Sequence, residues 1–269
     1  MKLLTIAGVL VAVIFAANAA RADDAAAKKE LTPTGKLRVA IAVGPAPSGI
    51  YVIKDEASGK YRGVTIDLSA ALAKQLGAEI EYVTYLASGE IQGSADKDAW
   101  DVTFMPVDDE RRKFVDFGSP YHLLQSTYLV ASGSTIQTVA DADKAGVRII
   151  GVKDTATFRA SNKASPNATH VALAGVDAAI ESMRAGQADA IALGRASLGG
   201  VAAKIPGARI LNGGFLNSTT SVAVPKGKPE ALAYVSAFIE EAKASGLVRR
   251  AFDDIGLTSE QVAPAGMKP

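Results

Sequence analysis

An alternation of apolar strands and amphipathic helices constrains this chain more than any other feature, because it runs once and then starts again. "KLRVAIAV" (36–43) is a short run of branched apolar residues and reads as a buried strand. "GKYRGVTI" (59–66) carries a turn at Gly59-Lys60 and a second short strand. In "DLSAALAKQLG" (67–77) Leu68, Leu72 and Leu76 recur every four residues, the stripe of a helix. Asp67 is placed to cap that helix and Gly77 to end it. "AEIEYVTY" (78–85) and "DVTFMPV" (101–107) read as further strands. The order β–β–α–β–α–β predicts a parallel or mixed sheet flanked by helices.

The pattern resets at "GVRIIGV" (146–152), a strand followed by a helix opening near "DTATFRAS". "THVALAG" is a strand or its edge, and "VDAAIESMRAG" is a helix with Val176, Ile180 and Met183 on one face. "ADAIAL" closes this second, smaller α/β unit. "SVAVPKGKPEALAYVSAFIEEAKASGLVRRAF" supplies one more strand and a helix with Leu232, Val235, Ile239 and Ala242 inward, where Pro229 suits the first turn. The expected fold class is α/β with two lobes, and clefts between lobes favour small ligands.

The N-terminus reads "MKLLTIAGVLVAVIFAANAARADD". A positive start, a short apolar run and A-x-A sites predict a secretory signal peptide over residues 1–22. The polar, Ala-rich stretch at 23–35 is expected to be a flexible lead-in. Removing residues 1–22, which hold Lys2 and Arg21 and no acid, turns 29 basic and 28 acidic residues into 27 and 28. That balance argues against nucleic acid or a membrane surface as a partner held by bulk charge. The chain has no cysteine, which excludes a thiolate nucleophile, a Cys-zinc site and an N-terminal lipid anchor. An exported chain without an anchor is expected in a periplasm. There is no metal-ligand cluster, phosphate loop or G-x-S-x-G elbow. No cofactor or metal is therefore expected.

"FMPVDDERRKFVDFGSPY" (104–121) holds three acids followed at once by Arg111, Arg112 and Lys113. Residue types alone leave two readings. It is a solvated charge run, or one arginine is aimed at a ligand, since a guanidinium fork offers a carboxylate two parallel bonds. Arg112 and Lys113 read as surface, and Asp109 and Glu110 as acids complementing a helix start.

Six phrases decide between them. "GKLRVAIAV", "GKYRGVTIDLSAALAKQLG", "ERRKFVDFGSPY", "ADADKAGVRIIGVKDTAT", "AIESMRAGQADAIAL" and "SVAVPKGKPEALAYVSAFIEEAKASG" occur in an order that resembles the family 3 extracellular solute-binding proteins. These are the periplasmic binding components of polar amino-acid ABC transporters. The resemblance implies a type II periplasmic-binding-protein fold. Lobe 1 would span 36–129 plus 220–269 and lobe 2 133–215, with hinge strands at 126–131 and 217–224. A monomer would close on its ligand and dock on a membrane permease. The register to Phe117 makes Arg111 the partner of the ligand's α-carboxylate, with Asp108 orienting it or facing a cation on the ligand. Thr157, with Thr155 beside it, would be the second carboxylate contact at a helix start, although N-capping explains both threonines equally well.

Three departures stand against these matches. The family's two ammonium-holding acids fall at Gly194 and near Ala42. Its aromatic lid is reduced to Tyr51, and the stretch from Asp101 to Arg111 is two residues short. A ligand other than a plain α-amino acid is therefore expected, with Arg111 and Arg195 suiting a mono- or dicarboxylate. Otherwise Asp108 or Glu90 replaces the missing acid. Two further classes remain open: a dehydratase of the same fold acting on a cyclic carboxylic acid, and a ligand-sensing module for a receptor. His122 and His170 read as structural or exposed, and Trp100 as core.

Overall fold

Two long strands organise the sheet. The computed structural model describes residues 24–43, 48–55 and 57–269; the expected signal peptide and most of the Gly/Pro loop at 44–49 lie outside them. Strands β1 (Lys36–Ala42), β4 (Glu79–Tyr85) and β5 (Val102–Pro106) pair in parallel in the first half. Strands β7 (Arg148–Val152), β8 (Thr169–Leu173) and β9 (Ala190–Gly194) do the same in the second. Between them run β6 (Val115–Val130) and β11 (Leu216–Pro225), antiparallel to each other, so that these eight strands join in the order β4-β1-β5-β11-β6-β9-β7-β8. β10 (Arg209–Ile210) pairs with the end of β6. β2 (Ile53–Lys54) and β3 (Tyr61–Arg62) form a separate hairpin.

Helices cover both faces of each half, since every strand group is apolar on both sides. In lobe 1, α2 (Val64–Leu76) and α7 (Pro229–Ala244) bury Leu68, Leu72, Val235 and Ile239 against Leu37 and Val39. Trp100, Met105, Ile91 and Phe117 fill the opposite face, beneath the short α3 (Ser88–Gln92). In lobe 2, α5 (Val176–Arg184) and α6 (Arg195–Ala202) bury Ile180, Met183 and Leu198 against Ile150 and Ile191. The other face holds Tyr128, Ile149 and Leu211, and α4 (Ala156–Ala164) crosses at the cleft end. Each fully buried Leu or Ile stabilises by roughly 1.5–3 kcal/mol.

Two expectations are corrected. Residues 24–31 of the supposed lead-in are helical (α1): Ala27 and Leu31, four apart on one face, are fully buried, and Glu30 Oε2 accepts from Ala231 N at 2.8 Å. A polar majority hid a two-residue apolar stripe. Helix α2 also starts earlier than Asp67, at Gly63, whose φ of 133° brings the chain against the Tyr51 carbonyl and so takes "VTI" into the helix. Thr65 Oγ1 donates to that same carbonyl at 2.8 Å, which pins the Tyr51 segment to the helix start.

Candidate functional site

The parallel strands of both lobes point their carboxyl ends at one cleft. Ala42 ends β1, Pro106 ends β5, Val152 ends β7 and Gly194 ends β9, and all four line it. Ligands of α/β proteins bind outside the carboxyl ends of strands because the loops there are free to vary. The cleft holds about 190 Å³, below the roughly 300–1,000 Å³ of drug-sized sites. Its walls are largely apolar, from Ile50, Phe104 and Ile91 on one side to Val152, Val176 and Leu193 on the other.

Arg111 sits in this wall and is completely buried. It lies on a 3-10 turn (Arg111–Lys113) separated by four residues from the end of β5, and Asp108 Oδ1 fixes the start of that turn by accepting from Arg111 N. Nη1 donates to Pro106 O at 3.0 Å and Nη2 to Ser88 Oγ at 2.7 Å, while the buried Nε–H has no partner. A guanidinium has five N–H donors, so three are left over. Burial pulls its pKa down to about 10, opposed by the nearby Asp108 carboxylate. It therefore remains a cation at neutral pH. Ser88, which orients the fork, was not singled out by sequence; only its place at the start of α3 could have suggested it.

The other expected residues divide. Tyr51 lines the cleft; burial pushes its phenol above the ordinary range, and the Thr220 hydroxyl and the Arg111 charge pull the other way. Thr157 lines it, buried, with Oγ1 3.1 Å from Ser126 Oγ on β6. Thr155 also lines it but serves as the N-cap of α4, accepting from Phe158 N at 3.2 Å and donating to Val152 O at 2.8 Å. The helix starts α5 and α6 reach the cleft through Gly175 and Gly194, neither of which offers a side-chain cap.

Asp108, Glu90 and Arg195 lie outside the cleft lining. Asp108 accepts from Arg111 N at 2.9 Å and pairs with Arg159 of lobe 2, so it holds the turn and bridges the lobes instead of facing a ligand cation. Glu90 is exposed, and its carboxylate accepts from Leu86 N at 2.8 Å. Arg195 donates to Gln125 Oε1 at 2.6 Å and to the carbonyls of Leu211 and Gly213, turned into a neighbouring groove. Arg195, expected beside Gly194, is turned away at the first residue of α6, while Glu90 is held back against the chain before α3 and Asp108 against the turn that carries Arg111. His122 is buried between Glu260 and Thr220, His170 meets Ser161 Oγ, and Trp100 packs in the core; none lines the cleft.

The lobes touch across the cleft. Besides the Asp108–Arg159 pair, Ser197 Oγ donates to Ser48 Oγ at 3.3 Å. A Cβ built on Gly89 of lobe 1 would stand 2.6 Å from Asp154 Cβ of lobe 2. Among the described residues, no helix is long and apolar enough to cross a membrane.

Two α/β lobes joined by β6 and β11, with a cation in the cleft between them, define a type II periplasmic-binding-protein fold built to hold a small solute. The comparisons agree. The chain belongs to the bacterial extracellular solute-binding proteins, family 3, whose sequence profile matches residues 37–255. It is 26% identical over 202 residues to the ABC transporter glutamine-binding protein of Bacillus subtilis (strain 168), covering 73% of each chain. It is 28% identical over 171 residues to a glutamine-binding protein of Geobacillus stearothermophilus, covering 62% of this chain and 64% of that one. Among solved structures, an ancestral amino acid-binding protein described as a precursor of cyclohexadienyl dehydratase superposes with a TM-score of 0.73 at 26% identity. That match covers 84% of this chain and 98% of the other.

Proposed function

We propose that this chain is a periplasmic, monomeric solute-binding protein that captures a small carboxylate, an amino acid or a related organic anion, and delivers it to the permease of an ABC transporter. The observation that carries this is the buried Arg111 fork with three N–H donors unspent, at the floor of an interlobe cleft. The glutamine-binding relatives support solute capture for an ABC transporter. Lobe 1 is taken as about 36–129 plus 220–269 and lobe 2 as 133–215, with the hinge where β6 and β11 pass between them. Closure needs a ligand that contacts both lobes, because only then does the closed state gain more than the open one.

Binding without turnover fits the site better than dehydration. General acid–base chemistry most often uses an imidazole or carboxyl in reach of the substrate; among the described residues neither lines the cleft, and the one phenol that does, Tyr51, is held in its neutral form by burial. Calorimetric titration of the chain lacking residues 1–22 with amino acids and small carboxylates tests this reading. Saturable binding that Arg111→Ala abolishes is expected. Binding unchanged by that substitution, or turnover of a cyclic acid, overturns it.

A further inference from the structure

The charge around the cleft is one-sided. Resting on the solute-binding reading, we propose that the cleft takes a compact monocarboxylic acid with an apolar body and no α-ammonium group.

Lobe 1 contributes Arg111, the one charged side chain among the described lining residues. Lobe 2 faces it with the N-termini of three helices, α4, α5 and α6. Helix N-termini carry partial positive charge and unpaired N–H donors. At α5 and α6 the N-cap residues are Gly175 and Gly194, so no side chain competes for those donors. An anion between the walls meets favourable charge from both directions.

An ammonium would meet the opposite. The acids beside the cleft are used elsewhere and none of them lines it: Asp108 by Arg159 and the Arg111 turn, Glu90 by Leu86 N, Asp154 by Lys153 at 3.9 Å and Asp177 by Lys204 at 3.7 Å. Two lining carbonyls are also engaged, Pro106 O by Arg111 Nη1 and Val152 O by Thr155 Oγ1. Residues 44–47, between β1 and Ser48, are Gly, Pro, Ala and Pro and bring no carboxylate side chain. A zwitterion would place a desolvated cation beside a guanidinium with no anion to answer it. A second carboxylate would meet helix N-termini but no second guanidinium, because Arg195 is committed to Gln125, Leu211 and Gly213 outside the cleft. The apolar walls and the volume of about 190 Å³ then favour a small hydrocarbon body.

The test uses the chain lacking residues 1–22 and a thermal-shift panel followed by calorimetry. The panel sets each aliphatic and aromatic amino acid beside its deaminated and 2-hydroxy analogues, its amide, and a dicarboxylate of equal length. The best binder is expected to be a deaminated or 2-hydroxy acid, at least about tenfold tighter than the matching amino acid. A second measurement uses Gly194→Asp. A Cβ there meets only Leu124 Cδ1, at 3.2 Å, a flexible end that can give way. This substitution is expected to reverse the preference toward the amino acid by about tenfold or more. An amino acid that outbinds its deaminated analogue in the parent chain overturns this inference and leaves solute binding intact. No binding by any member, or binding indifferent to Arg111→Ala, overturns the solute-binding reading itself.

Discussion

In lobe 1, Arg38 of β1 donates from N and Nε to Asp101 Oδ2 at 2.9 and 3.0 Å and from Nη2 to Oδ1 at 2.7 Å. In lobe 2, Arg148 of β7 makes the same three bonds to Asp189, at 2.8, 3.0 and 2.9 Å. Both clamps tie neighbouring parallel strands at the end away from the cleft. They differ in surroundings. The first pair is buried, with side chains 11% and 2% exposed, and the second is open, at 43% and 35%. At the cleft end the lobes diverge entirely, one presenting a guanidinium and the other helix N-termini. The same strand geometry calls for the same clamp, and specificity is left to the ends that carry loops.

Substitutions can break this comparison. The largest effect is expected from Arg111→Ala, which leaves a buried ligand carboxylate unpaired at a cost of about 3–5 kcal/mol of binding free energy. Calorimetry measures it, and the lobe 2 variant Thr157→Ala should lose much less. Equal losses would mean that both walls carry the anion alike. Next comes Asp101→Ala, which removes the buried partner of Arg38 and leaves it only the exposed Asp98; it should remove about 3 kcal/mol of stability in urea unfolding. Asp189→Ala should cost clearly less because water screens its partner; matching losses would show that burial does not separate the clamps.

Gly89→Val should weaken ligand affinity about tenfold by holding the lobes apart at Asp154, with an unchanged unfolding midpoint. A lowered midpoint would instead place the strain inside lobe 1. The smallest effect concerns pH. Hydrogen bonds from Arg148 hold the Asp189 carboxyl below its ordinary value. A lowered folded pKa means stability that is present above the unfolded pKa, about 3.9, and lost as pH falls through the folded one. The difference in stability between the parent and Asp189→Asn should therefore shrink in acid. A constant difference down to pH 2 sinks this account.

Much of the fold was legible because periodicity is local. The Leu68, Leu72 and Leu76 stripe and the strand at 146–152 need only their own neighbours to be recognised. Arg111 was legible through its register to Phe117. Arg195 was misplaced because a helix start rotates side chains by about 100° per residue, which a linear spacing does not record, and Glu90 because the backbone N–H of Leu86 already uses its carboxylate. The two clamps escaped notice because their partners lie 63 and 41 residues apart.

The order of residues by itself determined two α/β units, the lack of disulfides and an arginine in the loop just after a strand, since these follow from patterns within a few residues. Only the tertiary structure decided that Arg111 is buried with donors to spare while Asp108, Glu90 and Arg195 are bound elsewhere. Whether a charge is available to a ligand depends on which distant groups already satisfy it, and that is settled when the lobes pack.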